Sequence, residues 1–99
     1  MAKTKNRYVV VTTNSDRRGV FGGTLESYDI KNETATLTDA RMAVYWSSDT
    51  HGVAGLAAIG PQEGSRITPA IPRIELNGVT AVMDCTPDAR GNWEDGKWS

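Results

Sequence analysis

Apolar and polar residues alternate along most of this chain, which marks strands with one covered face. "RYVVVTT" (7–13) is rich in β-branched residues and predicts a strand. "NSDRRG" (14–19) is turn chemistry. "VFGGTLESY" (20–28) then puts Phe21, Gly23 and Leu25 on one face and Thr24, Glu26 and Tyr28 on the other. Its Gly22-Gly23 pair predicts a bulge or a close backbone approach. "DIKNET" (29–34) is the next turn. "TATLT" (34–38) points Ala35 and Leu37 inward, and "ARMAVYWSS" (40–48) groups Met42, Val44 and Trp46 against Arg41, Ala43 and Tyr45. Val9, Val11, Leu25, Leu37, Val44 and Val82 are the expected strand core.

The period changes in "THGVAGLAAIGP", where Val53, Leu56, Ala57 and Gly60 follow helical spacing. Ser48, Asp49 or Thr50 is the expected cap, and Gly60-Pro61 the stop. Two internal glycines cost about 1 kcal/mol each relative to alanine, so this helix depends on packing against the sheet. Pro69 and Pro72 make "RITPAIPRIEL" (66–76) an edge or crossing segment that becomes a strand at "PRIEL". Asn77-Gly78 is the strongest hairpin signal in the chain and leads into "VTAVMDC" (79–85). "TPDARGNW" opens with a helix-start signature worth one or two turns, and "EDGKWS" is polar. The expected fold is mainly β: a small antiparallel sheet of five or six strands, rolled or barrel-like, with one short helix near 50–60. One domain spans 1–99, with its core in 7–89 and a polar tail in 90–99.

Composition refines this. Ninety-nine residues with 38% hydrophobic content and 10 glycines allow one modest core, burying roughly 60–70% of the unfolded surface. Such a core is often supplemented by association, so a homo-oligomer is expected. Eleven basic against twelve acidic residues give a net charge of −1, which disfavours nucleic acid as a partner. The apolar run Tyr8–Val11 is too short for a signal-peptide core or a membrane span, so the expectation is a cytoplasmic protein without membrane contact. One cysteine and one histidine exclude an intrachain disulfide and an ordinary zinc site; no metal or cofactor is expected. Cys85 reads as a small buried hydrophobe.

The strand-to-helix junction "WSSDTHG" is the candidate site. Backbone N–H groups at a helix start, the hydroxyls of Ser47 and Ser48, and His51 suit a phosphate or carboxylate. Arg41 and Tyr45 lie one strand-turn away, and the arginine turn at Arg17 and Arg18 offers further cations. Set against this ligand-binding set is plain capping of a structural corner. "GVFGGT" lacks the Lys-Ser/Thr of a phosphate loop, and neither glycine run has a dinucleotide fingerprint. Neither Ser–His–Asp nor Cys85–His51 comes with the rest of a catalytic constellation, so the protein is not expected to be an enzyme.

The order of motifs resembles the small phage and prophage proteins of unknown function. The resemblance rests on Gly19, Val20, Gly23 and Leu25; Leu37, Thr38, Ala40 and Arg41; Tyr45 and Trp46; Leu56, Ala57 and Gly60; and Cys85-Thr86. It departs before the helix, where Tyr45 and Trp46 are adjacent and "SSDTH" is longer than usual. The resemblance implies a phage or prophage gene expressed in the bacterial host cytoplasm. It suggests a non-catalytic binding protein acting in counter-defence, by sequestering a nucleotide-type anionic small molecule or blocking a host defence protein. The alternative is a virion or assembly accessory, such as a decoration or tail component.

Overall fold

The apolar run at the start of the chain fills the middle of the sheet. In the computed structural model, which describes residues 7–14 and 19–97, β1 (Tyr8–Thr13) pairs antiparallel with β2 (Val20–Asp29) on one side and with β6 (Val79–Asp84) on the other. Both its faces are covered. Val9 and Val11 enter one cluster with Leu25, Ala35, Leu37, Ala40 and Val79, while Tyr8 and Val10 enter a second with Ala43, Leu56, Ile67 and Trp93. A strand covered on both faces needs continuous apolar residues, which is why "YVVV" does not alternate.

β3 (Thr34–Tyr45) is a single strand where the alternation suggests two. It pairs with β2 through a tight turn in which the Asp29 Oδ1 accepts the backbone N–H groups of Lys31 and Asn32. Asp39 interrupts its pleat in the left-handed region, at φ 49°. The inward set therefore shifts from Ala35 and Leu37 to Ala40. Two short strands complete the sheet: β5 (Ile71–Leu76) pairs with Ala35–Ala40, and β4 (Arg66–Ile67) pairs with Ala43 and Tyr45.

The end strands β5 and β6 are consecutive in sequence, separated by Asn77-Gly78 alone. The expected hairpin between them does not form. Among the described residues no ladder joins them: each finds five partners elsewhere, β5 on β3 and β6 on β1. Asn77-Gly78 is instead a corner, with the Gly78 carbonyl accepting from Asn14 N–H and Val79 N–H donating to the Glu33 carbonyl. Linking the two ends of a sheet this tightly forces it to roll. The six-stranded antiparallel sheet is rolled but not closed, with the Val9–Leu37 cluster inside.

The outer face of the roll is covered by two helices: α1 (Gly52–Ala58), inside the expected 50–60 stretch, and α2 (Pro87–Glu94), the two turns that follow the helix-start signature at Thr86-Pro87-Asp88. Trp93, beyond residue 89 in the stretch expected to be tail, is fully buried between them and the sheet. The glycine pair follows from this layering. A Cβ on Gly22 would sit 2.6 Å from the Trp93 indole, and one on Gly23 would sit 3.0 Å from the Ala40 backbone on the adjacent strand. The β2–β3 register shifts there as well.

Expected core residues Val9, Val11, Leu25 and Leu37 are buried, and Val82 packs against the same cluster. Val44 is not core; it is half exposed. It belongs to the roll-facing set, but β2 stops pairing at Met42, so Val44 overhangs the interior. No described helix is long and apolar enough to cross a membrane.

Candidate functional site

The expected site does not assemble as one unit. Arg17 and Arg18 lie outside the described residues. Tyr45 ends β3 opposite Arg66 and is exposed. Ser47 donates its backbone N–H to the Ser65 hydroxyl at 3.1 Å. Ser48 opens a single 3-10 turn (Ser48–Thr50), and its carbonyl accepts from the His51 N–H. His51 is exposed, sits at φ 66°, and precedes α1 without any side-chain cap. The expected Ser48, Asp49 or Thr50 cap is therefore replaced by a left-handed histidine. Thr50 is buried, and its hydroxyl accepts from Gln62 N–H at 3.1 Å, pinning the chain on both sides of α1. A Cβ on Gly55 would run into the Thr50 carbonyl, so the turn packs directly onto the helix backbone. This geometry is that of a corner.

Arg41 belongs elsewhere. It faces Gly22 in the β2–β3 ladder, and its Nη1 donates to the Gly96 carbonyl at 3.1 Å. It lines a cavity of about 270 Å³ with Tyr8, Thr24, Asp39, Ala70, Arg90 and Glu94; none of residues 45–51 takes part. Each element contributes by register. β1 places Tyr8 and β2 places Thr24 directly opposite it. The bulge at Asp39 sets the face of Arg41 on β3. One turn of α2 separates Arg90 from Glu94, whose Oε2 accepts from Arg90 Nε at 3.2 Å.

The floor of the cavity is Tyr8, 5% exposed, with the Arg90 guanidinium 5.4 Å from its ring centroid. Among the described residues, the Tyr8 hydroxyl and the Ser47 hydroxyl are the two buried side-chain polar atoms without a hydrogen-bond partner. Native structures rarely leave such groups unpaired. Burial pushes the Tyr8 phenol well above its ordinary range; Cys85 and Glu94 add to the rise, and Arg41 and Arg90 oppose it. The phenol is thus a neutral O–H donor at neutral pH. Beside it stand two guanidinium groups, each a planar fork of N–H donors of which one donor is engaged in the bonds above. A buried donor flanked by two cations is suited to hold an anion.

Sequence patterning singled out Arg41 but missed Tyr8 and Arg90. Tyr8 reads as ordinary strand core. Arg90 joins it only because α2 packs over β1, a pairing more than eighty residues apart in the chain.

Other hollows have a different character. One of about 410 Å³ beneath the 61–65 loop is lined by Gln62, Ser65, Asn92, Asp95 and Lys97, among others, and neither unpaired hydroxyl belongs to it. The described residues include no cluster of three or more His, Cys, Asp or Glu able to hold a metal ion.

Residues 6–93 match a protein family described as a domain of unknown function, DUF6948. The chain belongs to this family. The match takes in all six strands, α1 and α2 as far as Trp93, and hence every cavity residue but Glu94. No curated protein and no solved structure matches the chain.

Proposed function

We propose that this DUF6948 chain is a phage-encoded, non-catalytic binding protein that captures the anionic head of a small molecule between Arg41, Arg90 and Tyr8. Its role is counter-defence in the host cytoplasm, by sequestering a nucleotide-type signal. The observation that carries the reading is the Tyr8 hydroxyl, buried, protonated and unpaired beside two guanidinium groups. Such a donor costs about 1–3 kcal/mol while unpaired, and a bound acceptor recovers that cost.

The surrounding chemistry favours holding over reacting. The Cys85 thiol, pushed up to about 12 by burial and the Asp84 charge, stays protonated at neutral pH and is a poor nucleophile. His51 sits at the corner and does not line the cavity.

Titration calorimetry with AMP, ADP and 3′,5′-cyclic AMP tests the proposal. At least one is expected to bind and to be recovered unchanged by chromatography. Arg41→Ala is expected to weaken it by about 1.5–3 kcal/mol, the range for a hydrogen bond to a charged group. No binding at millimolar nucleotide, or turnover of the nucleotide, overturns it.

A further inference from the structure

Resting on the anion-binding reading above, we infer that the pocket takes the terminal phosphate monoester of a nucleotide, and that Glu94 occupies the place of that phosphate in the free protein. Size limits what enters. About 270 Å³ falls below the roughly 300–1,000 Å³ of sites that enclose a whole drug-sized ligand. A head group fits, and the rest of the molecule stays at the mouth.

The donors then select among head groups. Arg41 and Arg90 supply two positive charges, and the Tyr8 phenol supplies a third, neutral donor from below. A phosphate monoester matches this set, with three non-bridging oxygens and close to two negative charges at neutral pH. A diester has one charge and two such oxygens, so it leaves one donor group unmatched. A carboxylate has the same shortfall.

Glu94 explains how two guanidinium groups share the cavity without a ligand. Asp39 and Glu94 bring the local charge to zero, and Glu94 is bonded to Arg90 through a single Nε–Oε2 contact at 3.2 Å. Both partners of that i,i+4 pair are about half exposed, a setting in which an ion pair contributes little. A dianion gripped by both arginines and Tyr8 outcompetes it. Glu94 then swings to solvent from the last residue of α2, a movement that breaks no core contact. The carboxylate is therefore a competitor of the ligand.

Calorimetry on the full chain at pH 7 tests this with AMP, 3′,5′-cyclic AMP, adenosine, inorganic phosphate and O-phosphoserine. AMP is expected to bind at least tenfold more tightly than cyclic AMP, adenosine not to bind, and phosphate to compete with AMP. AMP is also expected to bind more tightly than O-phosphoserine; the reverse order assigns the phosphate to a phosphoprotein and overturns the nucleotide. Glu94→Gln is expected to tighten AMP several-fold. Tyr8→Phe is expected to weaken AMP about tenfold without lowering the thermal midpoint, since the lost hydroxyl has no partner in the free protein. Equal binding of AMP and cyclic AMP, or weaker AMP binding by Glu94→Gln, overturns the monoester assignment while anion binding stands. Absence of binding by every anion removes both.

Discussion

Tyr8 and Cys85 sit side by side, at the start of β1 and just past the end of β6, bridged by the Cys85 N–H to Tyr8 carbonyl bond at 2.8 Å. Both acids are raised by burial, so the fold prefers each in its neutral form. The sign follows directly. A raised acid contributes stability that is complete below its unfolded value and is lost as pH climbs through the folded one. For Cys85 that window runs from 9.0 to about 12. The urea midpoint is expected to hold from pH 7 to 9 and fall above it, and Cys85→Ala is expected to flatten the fall. An unchanged slope in that variant would remove Cys85 as the cause. Gly22 offers a second test. Its missing Cβ leaves room for the Trp93 ring, so Gly22→Ala is expected to cost about 1–3 kcal/mol by overpacking, measured by equilibrium denaturation.

The helices illustrate how a weak element is held by a neighbour. α1 has seven residues, two of them glycine, and ends with carbonyls that its own backbone does not fully satisfy. Groups on or just before α2 reach three of them and the carbonyl of Ile59 that follows. Trp93 Nε1 donates to Leu56, the Thr86 N–H to Ala57, the Thr86 hydroxyl to Ala58, and Asn92 Nδ2 to Ile59. Thr86 also caps α2, its Oγ1 accepting from the Ala89 N–H at 3.0 Å. Thr86→Ala therefore removes a cap and leaves a carbonyl of α1 without its partner. The expected cost is about 1–2 kcal/mol, with faster amide exchange in α1 as well as α2. Exchange confined to α2 would show that α1 stands without it.

The rolled sheet keeps open edges. β6 pairs with β1 alone and β5 with β3 alone, and no ladder closes the gap between them among the described residues. Pro72 interrupts β5, whereas β6 has no proline between Val79 and Asp84. An unguarded edge is a ready template for another strand. Together with the small core, this predicts self-association through β6. Sedimentation velocity at micromolar concentration is expected to show a species heavier than the 10.7 kDa monomer, and Val82→Pro is expected to dissociate it. A monomer across that range would show that the edge stays free.

Local signals were legible wherever neighbours in sequence set the outcome. β-branched runs became strands, the Asp29–Thr34 stretch became a turn, and Leu56 and Ala57 of the helically spaced set became the buried face of α1. Period and turn chemistry suffice there, because the partners of each hydrogen bond lie a few residues away. Three features depended on distant partners. Asn77-Gly78 carries every mark of a hairpin, yet the strands it joins each pair with a strand distant in sequence, β5 with β3 and β6 with β1. Val44 fits the inward pattern, yet its covering strand ends two residues earlier. Arg41 was visible as a cation near a strand end, but its companions Tyr8 and Arg90 come from opposite ends of the chain. A pattern along one segment records which face is apolar; only packing determines what that face meets, and the pocket exists solely where three such meetings coincide.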